Sequence, residues 1–137
     1  MATRSTISIK TGKDTFQTVS SHWDGYPSHN GAILLEHYQD EDKIKQLIAY
    51  GDVSILAENI EPDQDKPHDF DDRQDGVCLF YGRDRGEDGI KTRTHKGDVN
   101  EGEEFDYLFK DGKWYYRYNY GSPRTWSELT REACNLE

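Results

Sequence analysis

The chain has 137 residues, the size of one ordinary domain, and is long enough to bury a core without disulfide staples. Its net charge of −10, from 27 acids against 17 Lys and Arg, argues against direct binding to nucleic acid or to an anionic membrane, both of which draw on basic patches. No apolar run approaches the roughly 18 residues of a transmembrane helix, and the Met1–Thr6 start lacks the apolar segment of a signal peptide, so a cytoplasmic protein is expected.

Hydrophobic residues make up only 33% of the chain, but Phe, Trp and Tyr reach 12%. Each ring buries more area than a valine, so the expected core is aromatic, with polar tips reaching the surface. Cys78 and Cys134 lie far apart with no CxxC spacing and read as reduced thiols.

In chain order, Ser5–Lys10 alternates polar and apolar and predicts a strand with Ile7 and Ile9 facing the core. Thr11–Asp14 supplies turn residues, and Thr15–Trp23 predicts a second strand, hence a hairpin. Ala32–Tyr38 predicts a helix that Ser28 or Asn30 could cap. Asp40 is placed to cap a second helix, Glu41–Tyr50, with Ile44, Leu47 and Ile48 on its buried face and Gly51 at its C-terminal end. Asp52–Leu56 is short and apolar and reads as a loop or one helical turn.

Residues 58–75 hold eight acids against Lys66 and Arg73, a local charge of −6. Pro62 and Pro67 exclude a regular helix, so a mobile, solvated acidic loop is expected. Gly76–Gly82 returns to strand character, Arg83–Gly89 is a charged turn, and Ile90–His95 predicts a further strand. Phe105–Lys110, Asp111-Gly112 and Lys113–Tyr118 predict an aromatic hairpin with a type I′ turn. Trp126–Leu136 predicts a final helix, with Thr125 and Glu128 at capping-box spacing. The whole is expected to be one α+β domain over residues 1–137. An antiparallel sheet would carry two or three helices, mainly on one face.

Two regions carry chemistry worth weighing. His22–Gly31 joins a strand to a helix and combines two histidines, an aspartate and turn residues. His22, Asp24 and His29, with Arg83 and Arg85, form a candidate small-ligand or nucleotide site. The same stretch also reads as packing, with Trp23 and Tyr26 filling the corner and Pro27 starting the helix. The spacing of His22, Asp24 and His29 matches no recognised metal set, and the arginine segment lacks the GxxxxGK[ST] and GxGxxG phosphate loops. No metal or cofactor is expected. The second region is the acidic loop. It fails the EF-hand pattern, and Glu61, Asp63, Asp65, Asp69, Asp71 and Asp72 read instead as a surface for a basic protein partner.

Five segments together resemble a group of small bacteriophage and prophage proteins: HWDGYP (22–27), GAILLEHY (31–38), LIAYGDVS (47–54), FYGRDRGE (80–87) and YLFKDGKWY (107–115). The likeness spans most of the chain. It implies a setting rather than a catalytic residue: an accessory phage protein acting in the cytoplasm of an infected bacterium. The function so implied is inhibition of a host factor with a basic surface, such as a nucleic-acid-binding or defence enzyme, in the manner of anti-CRISPR proteins. A binding protein is thus expected ahead of an enzyme.

Overall fold

The computed structural model describes residues 3–87, 91–99, 101–121 and 125–136. Strand β1 (Ser5–Gly12) runs through the middle of an eight-stranded sheet. On one side it pairs antiparallel with β2 (Thr15–Ser21), as the hairpin pattern predicts. Beyond β2 lie β3 (Val53–Ile55) and β4 (Leu79–Phe80), while β5 (Arg93–Lys96) takes the first half of the same β2 edge. On its other side β1 pairs parallel with β6 (Phe105–Lys110), followed by β7 (Lys113–Tyr118) and β8 (Ser127–Glu128). The sheet is mostly antiparallel, and the exceptions are β1 with β6 and β2 with β3.

Ile7 and Ile9 point with Val19, Tyr107, Phe109 and Trp114 to one face. There they meet helix α1 (Ala32–His37) and helix α2 (Glu41–Ala49), which contribute Leu34, Ile44, Leu47 and Ile48. Asp40 caps α2 as predicted: its Oδ1 accepts from the Asp42 N–H at 3.0 Å. Gly51, at φ 85°, turns the chain after the helix, as its position predicts. Asp111 and Gly112 both have positive φ, as a type I′ hairpin requires.

The aromatic core is present, but its polar tips do not reach the surface. The Tyr38 hydroxyl donates to the Ala57 carbonyl at 2.6 Å, Tyr107 to the Gly25 carbonyl at 2.6 Å, and Trp114 Nε1 to the Tyr38 carbonyl at 2.7 Å. Inward-facing donors free the rings to be wholly buried, because each finds a backbone acceptor there.

The second face of the sheet is also covered. Thr6, Ser8 and Thr18 are fully buried, with Ser8 and Thr18 sharing a 2.8 Å hydroxyl contact across the strands. Phe16, Leu108 and Val99 form a small second cluster there, with Trp126 packed against it.

Four expectations change. Asp52–Leu56 contains strand β3 rather than a helical turn, because its backbone pairs with Ser21 and Phe80. Gly76–Gly82 supplies only the two residues of β4, and the charged turn begins as helix α3 (Tyr81–Arg85), closed by Gly86 at φ 72°. Neither Ser28 nor Asn30 caps α1. Pro27–Gly31 forms one π-helical turn that runs directly into α1 with Gly31 already helical, so there is no free helix start to cap. The predicted terminal helix is absent: Ser127 and Glu128 pair with β7, and residues 131–135 form turns. Trp126 lies over Arg117 on one face, while Leu129 enters the main core on the other. One helical stripe could not deliver both. Of the predicted Ile90–His95 strand, Arg93–His95 lie in β5, and Ile90 falls outside the described residues.

Candidate functional site: a polar cleft at one end of the sheet

The topology gathers several strand ends at one place. β1 and β6 begin side by side because they pair parallel. β2, antiparallel to β1, ends there, and β3 starts beside that end. Residues just outside these strands therefore meet. Arg4 precedes β1, His22 follows β2, Asp52 precedes β3, Tyr81 follows β4 and Glu103 lies two residues before β6. Together with Ser20, Ser21 and Val53 they line a polar cleft of about 200 Å³.

One wall is firmly built. Asp52 Oδ1 accepts from the Ser20 N–H at 2.8 Å and from Arg93 at 2.8 Å. Arg93 also binds both Glu101 oxygens, each at 2.8 Å, and His95 Nε2 lies 2.6 Å from Glu101. Burial alone would raise the Glu101 carboxyl, but the hydrogen bonds and charges of Arg93 and His95 hold it below the usual carboxylate range. A carboxylate with a depressed folded pKa stabilises the fold above the unfolded value of about 4.3 and loses that contribution as pH falls through the lower folded value. Glu101→Gln is therefore expected to flatten the acid-side loss of stability. Urea melts between about pH 5 and about pH 3 check this, and an unchanged pH slope would contradict it.

The opposite wall is unpaired. The side chains of Arg4, His22 and Glu103 make no hydrogen bond or ion pair among the described residues. Burial, with the nearby Arg4 charge, lowers the His22 pKa, so the imidazole is mainly neutral near pH 7. Burial raises the Glu103 carboxyl; Arg4 opposes this, while Glu101, Asp106 and Asp52 add to it.

The five predicted ligand residues do not converge here. Only His22 lines the cleft. His29 Nδ1 lies 3.0 Å from Asn30 Oδ1, and Asn30, fully buried, donates to Ser21 at 3.0 Å and Ser5 at 3.4 Å. Asp24 holds the left-handed turn at φ 54°. Arg83 is spent inside the protein, donating to the Ile60 carbonyl at 2.7 Å and the Cys78 carbonyl at 3.0 Å and pairing with Asp84 at 2.9 Å. Arg85 pairs with Glu87 at 2.6 Å and covers the Phe70 and Tyr81 rings.

Trp23 and Tyr26 do not fill the inside of the corner; they are 43% and 40% exposed and lie edge-on to the His22 and His29 rings. The corner is fastened by backbone instead. Gly25 N–H donates to Thr3 at 2.7 Å, and an added Cβ at Gly25 would sit 2.7 Å from the Ser5 Cβ and 2.9 Å from the Thr3 carbonyl. So close a fit leaves no room for rings beneath it.

Comparison with protein-family models, with curated proteins and with solved structures returned no match.

The acidic loop is organised. The Gln74 amide donates to the Asp63, Lys66 and Pro67 carbonyls, and its Oε1 accepts the Asp63 N–H at 2.8 Å. The His68 ring is buried beneath it, with Nδ1 accepting the Gln74 N–H at 3.0 Å and Nε2 2.9 Å from the Cys78 carbonyl. Asp63 and Asp69 accept N–H groups of their own loop. Glu61 accepts from Tyr50 at 2.5 Å and Gln46 at 3.0 Å. Asp65, Asp71 and Asp72 are exposed, and their carboxylates make no hydrogen bond or ion pair among the described residues.

Both cysteines are free and buried, and burial raises both thiols, Cys134 to about 11, which suppresses the reactive thiolate. Among the described residues, no group of three or more His, Cys, Asp or Glu side chains is placed to hold a metal ion. No helix among them is long and apolar enough to cross a membrane.

Of the cleft residues that sequence reasoning missed, four lie outside the strands: Arg4, Asp52, Tyr81 and Glu103. Each stands one or two positions outside a strand, which is the signal that could have found them. The pairing of β1 with β6 brings Arg4 beside Glu103, and that of β2 with β3 and of β3 with β4 brings in Asp52 and Tyr81; nothing in the strand patterns announces these neighbours.

Proposed function

We propose that the protein is a bacteriophage accessory protein that binds and inhibits a basic host factor, of the nucleic-acid-binding or defence class, in the host cytoplasm. The observation that carries the reading is the acidic loop. Gln74 and His68 hold residues 63–74 in one shape, and that shape leaves Asp65, Asp71 and Asp72 exposed and uncompensated. A preformed acidic surface steers a basic partner at long range and loses little ordering entropy on docking. Occupying a basic groove would exclude the nucleic acid that the groove serves.

The test is capture of partners from host lysate, identification by mass, and measurement of affinity against salt. Charge-driven docking weakens steeply as the screening length shortens. A triple variant, Asp65→Asn, Asp71→Asn and Asp72→Asn, removes three charges without touching the bonds that shape the loop. It is expected to weaken partner binding about tenfold or more at an unchanged melting temperature. Salt-independent binding that survives the triple substitution would overturn the reading.

A further inference from the structure

One wall of the cleft holds a positive charge, from Arg4, and a carboxyl, from Glu103, and neither side chain makes a hydrogen bond or ion pair among the described residues. Arg4, His22 and Glu103 line the same cleft, where the Arg4 charge acts on both of the others. Asp52 and Glu101, the neighbouring acids, are already committed to Arg93. A ligand that was only an anion would satisfy Arg4 and be repelled by Glu103. One that was only a cation would do the reverse. A molecule carrying both charges meets both demands, with the neutral His22 ring able to hydrogen-bond beside them.

Size narrows the choice. Pockets for drug-sized molecules run from about 300 to 1,000 Å³. The cleft, at about 200 Å³, is smaller. That suits a small zwitterion and is too little to enclose a nucleotide.

We propose that this cleft binds a small zwitterion of the free amino-acid type, its carboxylate on Arg4 and His22 and its ammonium on Glu103. The inference is independent of the partner-binding reading, since the acidic loop contributes no residue to the cleft.

The test is NMR titration of the full chain with glycine, alanine and glutamine, and with N-acetylglycine and glycinamide, which each lack one of the two charges. The expected result is saturable shifts at His22, Tyr81 and Glu103 at millimolar amino acid, with either blocked form binding about tenfold or more weakly. Arg4→Gln should remove the advantage of glycine over glycinamide. Glu103→Gln should remove its advantage over N-acetylglycine. Melting temperatures of both variants separate lost binding from lost fold. The proposal is overturned by an absence of saturable shifts, by equal binding of the blocked forms, or by spectra in which Arg4 and Glu103 pair with each other and exclude every added ligand.

Discussion

Replacing Arg117 with Ala is expected to destabilise the protein by about 3–5 kcal/mol. The side chain is 3% exposed and lies on the face of the sheet away from the helices. Its guanidinium binds Asp106 at 2.7 Å, Asp98 at 2.9 Å and the Val99 carbonyl at 2.7 Å, and it lies 4.3 Å from the Trp126 ring centre. Asp106 is equally buried and also accepts from Thr6 at 2.5 Å and Asn119 at 2.8 Å. Truncation would strand the Asp106 carboxylate inside the sheet and release the Asp98–Val99 segment from it. The cost is dominated by the charge left behind, so a cycle with Asp106→Asn should show strong coupling: the double variant should lose much less than the two single losses added together. Denaturant melts of the four proteins check this. Additive losses would show that the pair does not act as a unit.

Trp114→Ala is expected to cost about 3–5 kcal/mol for a different reason. Here the loss is volume and a single anchoring bond. The indole is 3% exposed, sits edge-on to Phe109 at 5.3 Å between ring centres, and donates to the Tyr38 carbonyl just past the end of α1. It ties the first helix to the sheet. Trp114→Phe separates the two contributions: it keeps most of the ring and leaves the Tyr38 carbonyl unpaired, a loss of about 1–3 kcal/mol. Equal losses in both variants would mean that the hydrogen bond alone fastens the helix. Thermal or urea melts distinguish the outcomes, and hydrogen exchange at α1 should speed up in both.

These two side chains leave different traces in the sequence. Trp114 belongs to an alternating aromatic strand, so its inward direction is legible from period alone. Arg117 sits on the opposite face of the same strand, where alternation predicts solvent. It is buried because Asp98, Val99 and the ring of Trp126 close over that face. Nothing local foretells this cover, and Asp98 reads as solvated until its partner is in place.

The acidic loop shows a similar division. Its composition and prolines identify a helix-free charged segment. That Gln74 and His68 pin it down depends on the Cys78 carbonyl and on Asp84, which follow the loop and pack beneath it. The same holds at the corner from His22 to Gly31. Its turn residues mark a junction, but Asn30 is drawn inward by Ser5 and Ser21, one on each of the first two strands. A side chain read as a cap thus becomes the pin of the corner.

By itself, the sequence determined what depends on neighbours a few residues apart: the opening hairpin, the Asp40 cap and apolar face of α2, the Asp111-Gly112 turn, and the α+β class. These follow from backbone geometry and short-range hydrogen bonding, which act within a turn or a strand. Only the tertiary structure decided that β1 and β6 run parallel, that both faces of the sheet are covered, that the C-terminal segment is an edge strand, and that Arg4, His22 and Glu103 share a cleft. Each is a meeting of residues far apart in the chain, set by which strand edges and buried charges find partners once the core has closed.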